Sequence, residues 1–418
     1  MSKITHITTI LFILVSCTMQ SQNSIKAYVK ENTVKINNID PYTGDFTDLE
    51  AFGNAIGDAK IVMLGEQDHG DAAAFLAKTW LIKYLHEVKG FNVLAFESDF
   101  FALNEGWENL NKNSDDIDSF IRGNIFPLWT ACDGCQELFF NYIPETFSTE
   151  KPLHLSGFDS QLFLNHSYYL LREKLDSVMR HYKLPIVRDL KYDSEILPLI
   201  DSTTGWPNHY ADSNLYSKCE FYFNQIRTEM LTTLKVDDFW VLIMDNLLAA
   251  NREFKDIDIG DKDYQIRDLQ MAKNITWLNN VKYPDEKIII WAHNYHISKQ
   301  YMDETEKYYG QTSMGGYLSR DTALIKQTYV LGFTSYNGTT GRVPDNRIYY
   351  TKNKKRSFEG WVDESYNYGF IDFKNFEGDH NKKFVMKGEL HEHSKEAWMT
   401  KYDGYFYMKT MFPCIDLR

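Results

Sequence analysis

Four short apolar runs in this chain each stop at a group of ionisable side chains, and that repeated form restricts the fold more than any other feature. They are IVMLGEQDHG (61–70), FNVLAFESD (91–99), KPLHLSGFD (151–159) and IIIWAHNYHIS (288–298). The first, short and β-branched, predicts a strand covered on both faces, the mark of a parallel sheet, and the other three read as further strands. Between the first two, DAAAFLAKTWLIKYLHEV sets Phe75, Leu76, Trp80, Tyr84, Leu85 and Val88 at helical spacing. Strand, helix and strand then form a βαβ unit, whose right-handed crossover makes the strands parallel. TYVLGFTSYNG (328–338), GFIDF (369–373) and GYFYMK (404–409) are further strand candidates. Residues from about 162 to 282 read instead as long helical patterns. The expected fold is α/β: a largely parallel central sheet flanked by helices, with a helical insertion roofing the cleft at the strand ends.

In a parallel sheet, polar groups at the carboxyl ends of the strands converge on one rim, where ligands bind. Here those groups are Glu66 and His69; Glu97 and Asp99; Asp159; and His293, Asn294 and His296. Taken singly, a Glu after a strand caps the next helix and a loop His is a surface residue. Four such sets at one topological point argue for a site. Residues i and i+3 share a side only in a turn, so Glu66 with His69, and His293 with His296, converge if each strand stops at its motif. Gly65 and Gly70 permit that turn.

An imidazole accepts a proton near neutral pH, and an adjacent carboxylate holds its tautomer and stabilises the imidazolium. Two opposing histidines would donate hydrogen bonds to a developing oxyanion. The set suits activation of water against an ester carbonyl, and no GxSxG serine elbow is present. Two other readings use the same residue types. Glu66, His69, His293 and His296 would supply ligands to a divalent ion in a metal-dependent hydrolase. Alternatively the 27 Tyr and 9 Trp, with Trp129 and Trp291 near the rim, suit a surface protein that binds a ligand without turning it over.

At 418 residues, with 43% hydrophobic and 25% charged residues, the chain has the composition of a globular protein with a large core. Its net charge of −13 carries no basic patch, which argues against nucleic acid as a partner. Lys3, the apolar stretch 4–15 and LVSC (14–17) predict a signal peptide ending in a lipobox, with Cys17 as the lipid-bearing residue and only attachment to the membrane. That predicts an exported protein, periplasmic or on the outer surface. Residues 18–40 read as a polar linker before a domain over 41–418. CDGC (132–135) has redox or metal spacing; without a second CxxC it reads as a loop detail or a disulfide. Phe223, Trp240 and Met244 in the insertion suit either a bulky apolar substrate or ordinary helix packing.

GEQDHG, FESDF, GFDSQ, RDLQMAKNITWL and WAHNYHIS, in this order and separation, resemble the erythromycin esterase family. YDGYFYMKT resembles its terminal strand, so the resemblance spans roughly residues 40 to 410. It implies a hydrolase acting on a small-molecule ester or lactone, with His69 as the general base activating water; no cofactor is expected, because GEQDHG lacks the helical HExxH arrangement of a metal site. Glu66, Glu97, His293 and His296 take the supporting catalytic positions. Asp99, Asp159, Lys78, Trp129, Asn294 and Arg267 are the expected substrate contacts. Arg267 and Asp268 match the helical RDxxMAxN segment, which lines or braces the cleft. Members that open macrolides commonly carry a glutamate and an arginine on the helix after the histidine. Here that stretch has Ala73 and Lys78, and lysine lacks the planar bidentate fork of arginine.

Overall fold

The computed structural model describes residues 25–205, 213–258, 265–300, 312–343, 345 and 347–418. The expected signal peptide, Cys17 and the first part of the expected linker lie outside them. The strands are β1 (Val34–Ile36), β2 (Ile61–Leu64), β3 (Phe91–Asp99), β4 (His154–Asp159), β5 (Lys287–Trp291), β6 (Thr328–Thr340), β7 (Tyr349–Thr351), β8 (Tyr368–Asp372), β9 (Phe384–Glu389), β10 (Glu392–Glu396) and β11 (Gly404–Met411). Nine of them form one sheet in the order β1-β8-β11-β6-β2-β5-β3-β4, with β7 paired to β6. From β11 to β4 every neighbouring pair is parallel; β8, β1 and β7 join antiparallel at one side. The βαβ unit of β2 and β3 is there, but β5 lies between its strands and pairs with both.

Both faces of the parallel strands are covered, as their unbroken apolar runs require. Val62, Leu64, Leu94, Phe96, Ile289 and Trp291 enter one core, with Phe75, Trp80, Leu81 and Leu85 of the helix Ala72–Glu87. Ile61, Met63, Val93, Ala95, Ile288 and Ile290 enter a second, with Met271 and Ile275 of the helix Gln265–Trp277. The alternation along each strand is the two-residue period of extended chain.

Between β4 and β5 run the long helices Asn165–His181, Ser213–Met230, Phe239–Asp258 and Gln265–Trp277. Leu171, Leu175, Phe223, Met244 and Leu247 pack there with Phe100 and Phe101, which directly follow β3. Phe223 and Met244 are wholly buried in that core, and Trp240 packs against it, so ordinary helix packing accounts for all three.

One expectation is corrected and one left open is settled. Residues 25–36, placed in a linker, form a helix over 25–32 and the edge strand β1. Ile25 and Val29, one helical turn apart, insert into the second core, a signal too short to register in a polar segment. Cys132 is bonded to Cys414 across a sequence separation of 282, while Cys135 is a buried free thiol. CDGC is therefore no local pair.

Candidate active site

Leu64, Trp291 and Phe96 stand side by side in the registers of β2, β5 and β3; β2 and β5 end at this line, while β3 runs on to Asp99. Glu66, His293 and Glu97 follow within two residues of that line. The turns after β2 and β5 interlock closely: Asn294 N–H donates to the Glu66 carbonyl at 2.8 Å. A Cβ on Gly65 would lie 2.0 Å from Asn294 Oδ1, so no larger residue fits there.

The turn after β2 brings His69 back over Glu66. Nδ1 lies 2.8 Å from Glu66 Oε1 and donates to it, since a carboxylate can only accept. The same oxygen accepts Trp129 Nε1–H at 3.2 Å, and Oε2 accepts Lys78 Nζ at 2.6 Å. Glu66 and Lys78 are fully buried, and Lys78 Nζ also rests 3.9 Å above the Trp291 ring. Burial opposes the Glu66 charge, but Lys78 and His69 outweigh it and hold the carboxyl below the usual range. Burial pulls Lys78 down to about 8 against the attraction of Glu66. The His69 side chain is 17% exposed, and Nε2 makes no hydrogen bond among the described residues. Its ring packs edge-on against Trp129, with centroids 5.2 Å apart, and lies 5.3 Å from the His293 ring.

Arg267 organises the second half. Its guanidinium grips Asp159 through Nε at 3.0 Å and Nη2 at 2.6 Å, and Nη2 reaches Glu97 Oε1 at 3.2 Å. Glu97 Oε2 accepts the His293 amide at 2.9 Å. Burial opposes the Glu97 charge; His296, His69 and Arg267 around it nonetheless hold the carboxyl well below its ordinary value. His296 donates through Nδ1 to Asp268 at 2.8 Å, and its Nε2 lies 3.3 Å from both Glu97 Oε1 and Arg267 Nη1. Burial works against protonation of His296, but Asp268 and Glu97 raise its pKa. With Nδ1–H on Asp268, Nε2 accepts Arg267 Nη1–H, and Glu97 Oε1 stands at ion-pair distance from the same nitrogen.

Glu66, His69, Glu97, Arg267, His293 and His296 therefore come together, but several expected roles change. His293 Nε2–H donates to the Gln67 carbonyl at 2.7 Å, and Nδ1 accepts the Tyr295 amide at 3.1 Å. Both nitrogens are used, so His293 has no proton left for an oxyanion. Burial, with His69 and His296 nearby, drops its pKa to about 3 and keeps it neutral. Asn294 is a buried clamp, donating to the Phe333 and Gly388 carbonyls and accepting the Phe333 amide. Asp99 accepts the Ala102 and Leu164 amides and the Ser167 hydroxyl, which makes it a brace for the chain rather than a substrate contact. Lys78 and Trp129 are spent on Glu66, and Asp159 on Arg267 and the Gln161 amide at 3.2 Å. All five are buried, so each acts on its neighbours instead of on a ligand.

Glu253, not singled out from the sequence, joins the same neighbourhood from the insertion: its Oε1 accepts Gln161 Nε2 at 3.0 Å. Desolvation, opposed by Arg267 and aided by Asp159, raises its carboxyl to about 7. Nothing in the surrounding helical pattern distinguishes this glutamate from a surface one. A divalent ion finds few free donors here. Both Glu66 oxygens are engaged, one by an ammonium, and both His293 nitrogens are committed. Among the described residues, the one group bringing three metal-type donors together is Cys132, Asp133 and Cys414, whose sulfurs are bonded to each other.

A family model described as erythromycin esterase matches residues 86–410. The GEQDHG turn precedes that match. The putative hydrolase YbfO of Bacillus subtilis (strain 168) is 27% identical over 321 residues, covering 72% of this chain and 70% of that protein. Erythromycin esterase type II of Escherichia coli is 24% identical over 349 residues, covering 75% and 77%. Of solved structures, a Bacillus cereus protein superposes with a TM-score of 0.73 at 18% identity, over 94% of this chain and 98% of that one. The erythromycin esterase EreC, as a mutant in its open conformation, gives 0.68 at 16% identity over 93% and 99%. At these identities the structural likeness carries the fold.

Proposed function

This chain belongs to the erythromycin esterase family, and from that premise we propose that it is a hydrolase of a carboxylic ester or lactone, with water activated by His69. One observation carries the reading: His69 Nδ1–H is bonded to a buried carboxylate, while Nε2 is unbonded on a partly exposed ring. Glu66 fixes the tautomer that leaves Nε2 as a base. As Nε2 takes the water proton, the Glu66 charge stabilises the imidazolium that forms. Lys78 and Trp129 hold the carboxylate in place. Negative charge developing on the carbonyl oxygen is met from the cationic side of the cluster, the Arg267 guanidinium.

The long-range disulfide supports an oxidising compartment, in line with export. The partner is a small molecule, and its acyl and leaving groups are what a screen identifies. Mass-spectrometric detection of hydrolysis across simple esters, lactones and macrolides, with and without chelator, tests the proposal. His69→Ala is expected to lose roughly 10²- to 10⁴-fold in turnover, the usual worth of a general base, and chelator to change nothing. Turnover retained in His69→Ala would overturn the assignment, and turnover abolished by chelator would favour metal-activated water.

A further inference from the structure

Residues 413–417 form a strap beside two segments of the candidate site. Cys414 N–H donates to the Gly70 carbonyl at 3.0 Å, and Pro413 bridges Asp71, so the strap holds the turn that carries His69. Farther along, Leu417 N–H donates to the Ala131 carbonyl, Asp133 N–H to that of Ile415, and Ile415 N–H to Asp133 Oδ1. Cys132 bridges Asp416 and is bonded to Cys414. These second contacts fix the segment just after Trp129, whose indole donates to Glu66 and walls the His69 ring. The strap thus ties together two segments, 66–71 and 129–133, that are otherwise far apart in sequence and that both set the geometry of His69.

We propose that the Cys132–Cys414 disulfide and the 413–417 strap are positioning residues for the reaction, holding His69, Glu66 and Trp129 in register. This rests on the reading of His69 as the base. Reduction by a dithiol breaks the S–S bond and gives two thiols, while the dithiol closes to its own disulfide; the strap then keeps only its backbone hydrogen bonds. Among the described residues the free thiols are Cys135 and Cys219, and Cys135 lies three positions from Cys132, so the comparison is made in a Cys135→Ala background.

The test compares that background protein with Cys414→Ser, with a chain ending at residue 412, and with the background protein treated with dithiothreitol. Far-ultraviolet circular dichroism reports the fold. In all three, kcat is expected to fall by roughly 10- to 100-fold with KM nearly unchanged, the cost of a small misplacement of the base. The pH profile of kcat is expected to shift as Glu66 loses its hold on Nδ1. An activity-independent readout is the His69 Nδ1–H resonance in histidine-labelled protein, expected to broaden or disappear in the folded variants. Unchanged kcat and an unchanged Nδ1–H resonance in folded Cys414→Ser and truncated protein would overturn the proposal. Absence of turnover in every protein, alongside an altered resonance, would instead count against the hydrolase reading and leave the positioning role supported.

Discussion

Glu253 shows what a single buried carboxyl costs. Oε1 has one donor, Gln161, and Oε2 has none among the described residues, while Asp159 stands nearby. Its pKa in the fold, about 7, lies above the ordinary 4.5, so the folded state holds a proton that the unfolded chain releases. Stability from this group is therefore fully present below pH 4.5, declines as pH rises, and is lost above about 7. Glu253→Gln keeps the shape and removes the charge. It is expected to leave thermal stability near pH 4.5 unchanged and to raise it at pH 8.5 by up to roughly 3 kcal/mol. A melting series across that range that shows no pH-dependent gain would contradict this. The same scale is where the sequence was least legible. Glu66, His69 and Glu97 were readable as a site because a carboxylate beside an imidazole is rare by chance. Asp99, Asn294 and Lys78 were not readable as braces, because the pattern cannot tell a polar side chain facing a cleft from one bonded to the backbone behind it.

The β9–β10 hairpin applies the lesson to an element. Glu389 pairs with Glu392, leaving Leu390 and His391 as a two-residue turn with φ of 48° and 57°. Two positive φ values are what a type I′ hairpin turn demands, and Asn-Gly is its usual sequence. Here neither residue suits it, yet the turn is pinned from outside. Leu390 N–H donates to the Gln67 carbonyl at 2.9 Å, and His391 sits 3.0 Å from both oxygens of Asp71. The strained tip therefore rests on the turn that carries His69. A left-handed Leu costs about 1–2 kcal/mol, and this side chain is exposed. Leu390→Gly is expected to gain about 1 kcal/mol, seen as a higher denaturant midpoint at constant slope; a lower midpoint would mean that the side chain packs. The longer elements were legible for the opposite reason: β2 and β5 announce themselves by β-branched runs and β3 by an apolar one, whereas β1 and β7, at three residues each, offer too little pattern to read.

For the molecule as a whole, the sequence supported a parallel sheet with a helical excursion, but it could not supply the order of the strands or the pairing of Cys132 with Cys414. Both depend on contacts between distant segments, which local periodicity does not encode. That order has a consequence for how the protein is made. The ribosome delivers β1 to β4 first, then the helices of 165–282, and only afterwards β5, which slots between β2 and β3. The middle of the sheet is filled late, so the two early strands must wait apart, edges open, until their shared neighbour emerges. Such non-local pairing is slow and exposes sticky edges. A chain ending at residue 282 is expected to remain open to protease across β2 and β3, with protection appearing once residues 287–291 are included; early protection would show that those strands find another partner first. His293 and His296 ride in just behind β5, so the machinery for chemistry is completed by the same late insertion that closes the sheet, and a half-made chain carries the base without its surroundings.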